Sequence, residues 1–149
     1  MSQEYDTAKN CYSDKAFDKE KVFTKMLRKP YFKGGHDSLI NFLITNISFQ
    51  NLVGDLSQNE RIYYDTARIK FIVSKTGALS DLSVTLTKKK IFADEILKVI
   101  KKSSCRWTAG GTELLMNGWI QFDIYYSIDR RFFGVTMGIK IKEYDYATE

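Results

Sequence analysis

The tightest constraint in this sequence is a hydrophobic period of two that recurs along its second half. Ile120, Phe122, Ile124, Tyr126 and Ile128 alternate with Gln121, Asp123, Tyr125 and Ser127. Successive side chains of a strand point to opposite faces, so the pattern predicts a strand with one buried face. Phe133, Val135, Met137, Ile139 and Ile141 repeat it against Gly134, Thr136, Gly138, Lys140 and Lys142. Asp129-Arg130-Arg131 between the two is short enough for a hairpin loop. Ala67, Ile69, Phe71 and Val73 make a third segment, closed by a turn at Ser74–Gly77 in which Gly77 supplies positive φ. Leu82, Val84 and Leu86 make a fourth, with Ser83, Thr85 and Thr87 outward.

Strands with one apolar face need a second layer, and two segments of helical spacing supply it. Leu39, Phe42, Leu43 and Asn46 share a face, flanked by Ile40, Ile44 and Ile47, with Asp37 in the first turn. Phe92, Ile96, Val99 and Ile100 fall at i, i+4, i+7 and i+8, with Asp94 and Glu95 at the start and Lys101 and Lys102 at the end. Val22/Met26 and Phe23/Leu27 give a weaker helical pattern, and Phe49 to Asp65 reads as a looser stretch. The predicted order is helix, strand, strand, helix, strand, strand. That is an α+β fold, a small antiparallel β-sheet with two helices packed on one face. We expect a loosely attached leader over 1–20, a single domain over 21–142 and a tail over 143–149.

Composition narrows the function classes. The chain has 149 residues, 44% of them hydrophobic, and one proline, which excludes a disordered or low-complexity chain. No run approaches the ~18 apolar residues of a spanning helix, so no direct membrane insertion is expected. Met1 to Lys25 holds no apolar block, which points to a cytosolic protein or to a mature form. The net charge of +5 sits in short clusters, Lys88-Lys89-Lys90, Lys101-Lys102 and Arg130-Arg131, read as solvated turns and a helix end. Cys11 and Cys105 read either as a bridge in an oxidising compartment or as a leader cysteine and a small core residue.

Catalytic patterns are missing. His36 is the only histidine, so no zinc site can be assembled from it and two scattered cysteines. Gly34-Gly35 before a helix lacks both a preceding strand of the dinucleotide kind and a phosphate-loop lysine, and reads as a tight turn. Acidic residues are spread singly, without a paired-carboxylate site. No enzyme activity, cofactor or metal is expected. Most of the ten phenylalanines, nine tyrosines and two tryptophans fall on inward positions. Tyr125 is an exception: with Gln121, Asp123 and Ser127 it would give a sheet edge a polar-aromatic character. An edge with free N–H and C=O groups is a hazard unless it is covered or used, and its use is strand addition by a peptide.

The residues also resemble a known family. Val22-Phe23-Thr24, then Lys29-Pro30-Tyr31-Phe32-Lys33-Gly34-Gly35, then Leu39, Phe42, Leu43 and Asn46 are similar to the start of the C-terminal domain of TonB-family energy transducers of the Bacteroidetes type. Ile69–Val73 with Thr76-Gly77 and Leu79-Ser80-Asp81-Leu82 resembles its first hairpin, Phe92–Lys102 its second helix and Ile120–Ile128 its last strand. Trp107, Gly110 and Asn117-Gly118 stand in its Trp-x-Pro-Gly…Asn-Gly segment. The likeness spans about residues 21 to 128, and it implies an extended rather than helical Val22–Arg28. Departures are Lys33 for the second proline of the turn, Phe49-Gln50 for Tyr-Pro, a longer stretch from Asn51 to Thr66, and Ala109 for the proline after Trp107. An extra C-terminal strand, Phe132 to Lys142, extends beyond the family's usual end.

What the resemblance implies is a periplasmic, non-enzymatic domain in energy-coupled transport. Its partner would be an outer-membrane TonB-dependent receptor or another envelope protein, whose TonB-box peptide adds to the last strand. The binding edge would then be Ile120, Gln121, Asp123, Tyr125 and Ser127. Pro30, Phe32, Gly34, Gly35, Gly77, Trp107 and Gly118 would be structural. If the extra strand pairs with Ile120–Ile128, that edge is occupied and the partner must use the new one. Two alternatives stand beside this reading. One is an RNA- or nucleic-acid-binding α+β module, although no aromatic RNA-binding pattern is present and no nucleic acid is expected. The other is a homodimer or structural domain whose edge the extra strand closes.

Overall fold

The computed structural model describes residues 11–13, 22–131 and 134–143. The elements are β1 (Tyr12–Ser13), β2 (Tyr31–Phe32), α1 (Gly35–Asn46), α2 (Phe49–Gly54), β3 (Ile62–Val73), β4 (Leu79–Thr85), α3 (Lys90–Lys102), β5 (Trp107–Thr108), β6 (Gly118–Asp129) and β7 (Thr136–Glu143). One sheet runs β1-β4-β3-β6-β7, antiparallel except at the short β1–β4 pair, and β2 and β5 form a separate two-stranded ladder. This is the expected α+β architecture.

Phase along the strands decides which side chains meet. Ala67, Ile69, Phe71 and Val73 of β3 and Phe122, Ile124, Tyr126 and Ile128 of β6 all lie on one face and are essentially inaccessible. Leu39 and Leu43 of α1 and Phe92, Ile96, Val99 and Ile100 of α3 close over them to make a single core. Trp107 sits at its middle, edge-on to Phe32 (ring centroids 5.3 Å apart) and Phe71 (5.0 Å), and stacked on Phe122 (6.3 Å). Its indole N–H donates to Ser103 Oγ (2.9 Å), which satisfies the one polar atom that this burial would otherwise strand. The opposite face is not fully solvated, since Ile72, Ser80 and Asp123 are also buried.

Several boundaries differ from the sequence expectation. β3 begins at Ile62 rather than Ala67, so part of the stretch read as loose is the start of the longest strand pair. The short helix α2 also falls in that stretch; Ser48 Oγ accepts from the Asn51 N–H (3.4 Å) to start it, but six residues ending on Gly54 carry no readable period. Leu86, expected inward, is 58% exposed because it takes a left-handed φ of 61° just after β4 ends. A bulge at Asp81 (φ 52°) lets both Leu79 and Val84 keep their core phase. Val135, also expected inward, precedes β7 and is exposed, so the hairpin connection is longer than Asp129–Arg131. Phe132 and Phe133, read as the start of the last strand, lie outside the described residues, as does the tail beyond Glu143.

Within the 1–20 stretch the described residues are tied down. Cys11 and Cys105 form a disulfide across 94 residues of sequence, with Cα atoms 5.2 Å apart. The Leu79 N–H donates to the Cys11 carbonyl (2.7 Å), and Tyr12–Ser13 pair with Leu79–Ser80. Residues 22–30 are not helical: Phe23 bridges to Gly118 and Arg28 to Gly111.

Two glycines of the structural set separate conformational from steric demand. Gly77 has φ 87°, and a Cβ there would lie 2.8 Å from the Trp107 carbonyl oxygen, whereas Gly35 has φ 84° with open space around it. Gly35→Ala should therefore cost about 1–2 kcal/mol for its left-handed backbone alone. Gly77→Ala should cost more, about 2–4 kcal/mol, because the β3–β4 turn must also move off β5. Chemical denaturation of both variants checks this; equal losses would mean the turn does not lean on Trp107.

Candidate functional site

An interior strand has both rows of backbone groups engaged, so it cannot accept a peptide; this decides where the predicted binding residues stand. β6 pairs with β3 from Gly118 to Asp129 and with β7 from Phe122 to Asp129. Its lower end is closed too, where the Trp119 N–H donates to the Phe23 carbonyl (3.0 Å) and the Phe23 N–H to that of Asn117 (2.9 Å). Ile120, Gln121, Asp123, Tyr125 and Ser127 are thus on a central strand, not on an edge. Ile120 is a core residue. Asp123 is buried and takes a forked contact from Arg68, Nε to Oδ1 at 3.0 Å and Nη2 to Oδ2 at 3.3 Å. The extra strand moved the edge outward by one position.

The edge that results is β7. Among the described residues no strand pairs with its outer side. Lys140 and Lys142 are exposed on it, and such residues discourage unspecific edge-to-edge pairing. Tyr125 and Ser127 remain relevant because they are next to it: with Tyr64, Gly138 and Lys140 they line an open cavity of about 400 Å³. Gly138 lies opposite Ser127 in the ladder, and a Cβ there would come within 2.7 Å of Ser127 Oγ. At the start of α1, His36 Nε2 lies 3.3 Å from Glu143 Oε1 at the end of β7, so helix and edge strand are joined at that corner.

At the other end of the core face stand two buried acids that sequence reasoning missed. Asp65 accepts from the backbone N–H groups of Thr66 (2.8 Å), Lys88 (2.9 Å) and Lys89 (3.4 Å) and from the Tyr63 hydroxyl. It therefore holds the turn that leads into α3. Glu95 accepts from the Ser48 N–H (2.8 Å), Asn51 Nδ2 (3.3 Å) and Lys98 Nζ (3.4 Å), which ties α3 to the start of α2. Both carboxylates have their oxygens committed to structural donors, which suits anchors rather than acid–base groups. The signal was present: Asp65 continues the phase of Ala67 and Ile69, and Glu95 lies three residues past Phe92 on the apolar stripe.

The basic clusters are largely occupied by neighbours. Lys89 Nζ lies 3.6 Å from both Asp55 and Glu60, Lys90 pairs with Asp94 at 3.3 Å and Arg131 with Asp129 at 2.9 Å. Arg130 donates to the carbonyls of Ser57 (2.7 Å) and Glu60. Lys101 Nζ sits 5.1 Å from the Tyr12 ring centre. Among the described residues no group of three His, Cys, Asp or Glu could hold a metal ion. No helix of the described residues is long and apolar enough to cross a membrane. Compared with family models, with curated proteins and with solved structures, the chain matches none.

Two buried phenols flank the acids. Burial pushes the Tyr63 hydroxyl well above the usual phenol value, and its bond to Asp65 adds to this. Burial likewise raises Tyr126, whose hydroxyl makes no hydrogen bond, with the nearby Glu95 charge adding to it. A raised value in the folded state means the neutral phenols contribute stability that is complete below the unfolded value of about 10 and lost as pH climbs above it. In an alkaline titration read by phenolate absorbance, Tyr63 and Tyr126 should ionise last and together with unfolding. Tyr126→Phe should remove one late equivalent and flatten the alkaline loss of stability. A wild-type protein that ionises all its tyrosines in one step near pH 10 while still folded would refute the assignment.

Proposed function

We propose that this chain is a non-enzymatic binding module similar to the TonB C-terminal domain, acting in the periplasm on an outer-membrane receptor or another envelope protein in energy-coupled transport. It takes an extended peptide by strand addition. The observation that carries this reading is the outer side of β7, which no strand of the described residues pairs, beside a groove that Tyr125 and Ser127 help to line. The receiving strand is thus Thr136–Glu143 and not Ile120–Ile128, and the partner's alternate side chains face Tyr125, Ser127 and Lys140. The order α1, β3–β4 hairpin, α3, β6 runs in step with the segments that carry the resemblance. The Cys11–Cys105 bond supports an oxidising compartment. The nucleic-acid alternative is less well supported, since Lys89, Lys90 and Arg131 of the basic clusters are paired with neighbouring carboxylates.

Backbone-amide NMR of the isolated domain, titrated with TonB-box peptides, should show shifts concentrated on 136–143 and at Tyr125. No shift at millimolar peptide sinks the reading, and a signal that grows with protein concentration alone assigns the edge to a second copy. A thiol assay on protein isolated from the periplasm should find Cys11 and Cys105 unreactive until reduction. Reduction should then lower stability by up to about 4–5 kcal/mol, the loop-closure value for a bridge of this span.

A further inference from the structure

A second surface lies on the helical side of the molecule, away from the β7 edge. Between α1, the end of α3 and the β2–α1 turn runs an open groove of about 670 Å³. Its floor holds the rings of Phe32 and Phe42, 5.7 Å apart. Three cations border it: Lys33, Lys102 and Arg106, all exposed, and among the described residues no carboxylate lines it. The contrast is with four cations of the basic clusters. Elsewhere Lys89, Lys90, Arg130 and Arg131 each bind a neighbouring carboxylate or carbonyl. Among the described residues none of the three groove cations has an acidic partner.

The cations are also positioned. The Lys33 N–H donates to the Arg106 carbonyl (2.8 Å), which fixes the two residues side by side where β2 meets β5. The Arg106 guanidinium lies 4.9 Å from the Phe42 ring centre. Stacking of this kind holds the plane of the guanidinium while leaving its N–H edge free for a bidentate acceptor. Along the facing side of α1, Asn41 and Thr45 offer neutral donors and acceptors.

We propose that this groove docks an acidic peptide segment of a partner protein. Its carboxylates would meet Arg106, Lys33 and Lys102, its backbone amides would meet Asn41 and Thr45, and an apolar side chain would rest on Phe42. A peptide fits better than a compact phosphate. Phosphate sites are typically cradled by free backbone N–H groups, and here the Lys33 N–H is already bonded. An open groove bordered by separated charges suits an extended chain with spaced carboxylates. This proposal is independent of strand addition at β7, because no β7 residue lines the groove.

The test uses an acetylated, amidated hexapeptide of alternating glutamate and alanine, followed by backbone-amide NMR on the whole domain. Shifts should centre on Lys33, Phe42, Thr45 and Arg106. Affinity should fall about fivefold to tenfold in Arg106→Gln and again when salt rises from about 50 to about 300 mM. Lys33→Gln, which leaves the Phe42 stack in place, should weaken binding in the same direction and guards against a fold effect in the arginine variant. Three results overturn the proposal: equal binding of the glutamine–alanine peptide, the same shifts from sodium phosphate at matched concentration, or shifts confined to 136–143. The last would speak for the strand reading while removing this one.

Discussion

Twelve residues of β3 lie opposite twelve of β6, from Ile62 against Asp129 to Val73 against Gly118, without a break in register. Everything else is hung on this ladder. Because side chains alternate, a slip of one residue would turn either Ala67, Ile69 and Phe71 of β3 or Ile124 and Tyr126 of β6 to the wrong face, and put Arg68 and Lys70, or Tyr125, under the helices. The register is held from both ends. At one end the Met26 thioether packs against Gly118, and the Phe23 bridge to Gly118 locks that end. Near the other end the Arg130 N–H donates to the Arg61 carbonyl (2.7 Å) and its side chain clasps the Ser57 and Glu60 carbonyls. β4 and β7 then add to the outer sides of a pair that is already fixed.

Trp107 converts that ladder into a closed domain. The two-residue β5 would be a poor anchor by itself, since a short ladder gains little against the entropy of ordering. Its partner strand β2 contributes Phe32 and β5 contributes Trp107; the two rings meet edge-on, and Trp107 in turn meets Phe71 and Phe122 from the centre of β3 and β6. Ring burial therefore supplies what the short ladder lacks. The same cluster places the β2–α1 turn and the Arg106 backbone, and so fixes the basic groove.

How much of this was legible in the sequence follows from which physical signals are local. Period is local, so the inward residues of β6 and most of β3 and the faces of α1 and α3 could be read directly. Asp65 was hidden because a charged residue in an apolar phase reads as the end of a strand. Besides the Thr66 N–H and the Tyr63 hydroxyl, the Lys88 and Lys89 N–H groups, distant in sequence, satisfy it there. Leu86 and Val135 failed for the opposite reason: their phase is right, but backbone geometry ends the strand before Leu86 and begins β7 after Val135. The predicted edge, Ile120–Ile128, was legible as a strand but not as an interior one. Which strand lies outermost is a matter of pairing order, and pairing order is non-local.

The two sides of the sheet manage their exposed backbone by different means. On the β4 side a disulfide fixes Cys11 beside Leu79 and lays Tyr12–Ser13 against Leu79–Ser80, so the first residues of that strand are covered covalently. On the β7 side the described residues offer no such cover, only the exposed Lys140 and Lys142. Charges guard an edge against unspecific pairing yet leave its N–H and C=O groups reachable by a peptide of matching charge and register. The clip covers only Leu79 and Ser80 of β4, whereas β7 carries exposed lysines along its length, so the two edges are unequal. In the proposed strand addition, β7, the strand the family resemblance did not anticipate, is favoured over β4 because it lies beside the groove that Tyr125 and Ser127 help to line.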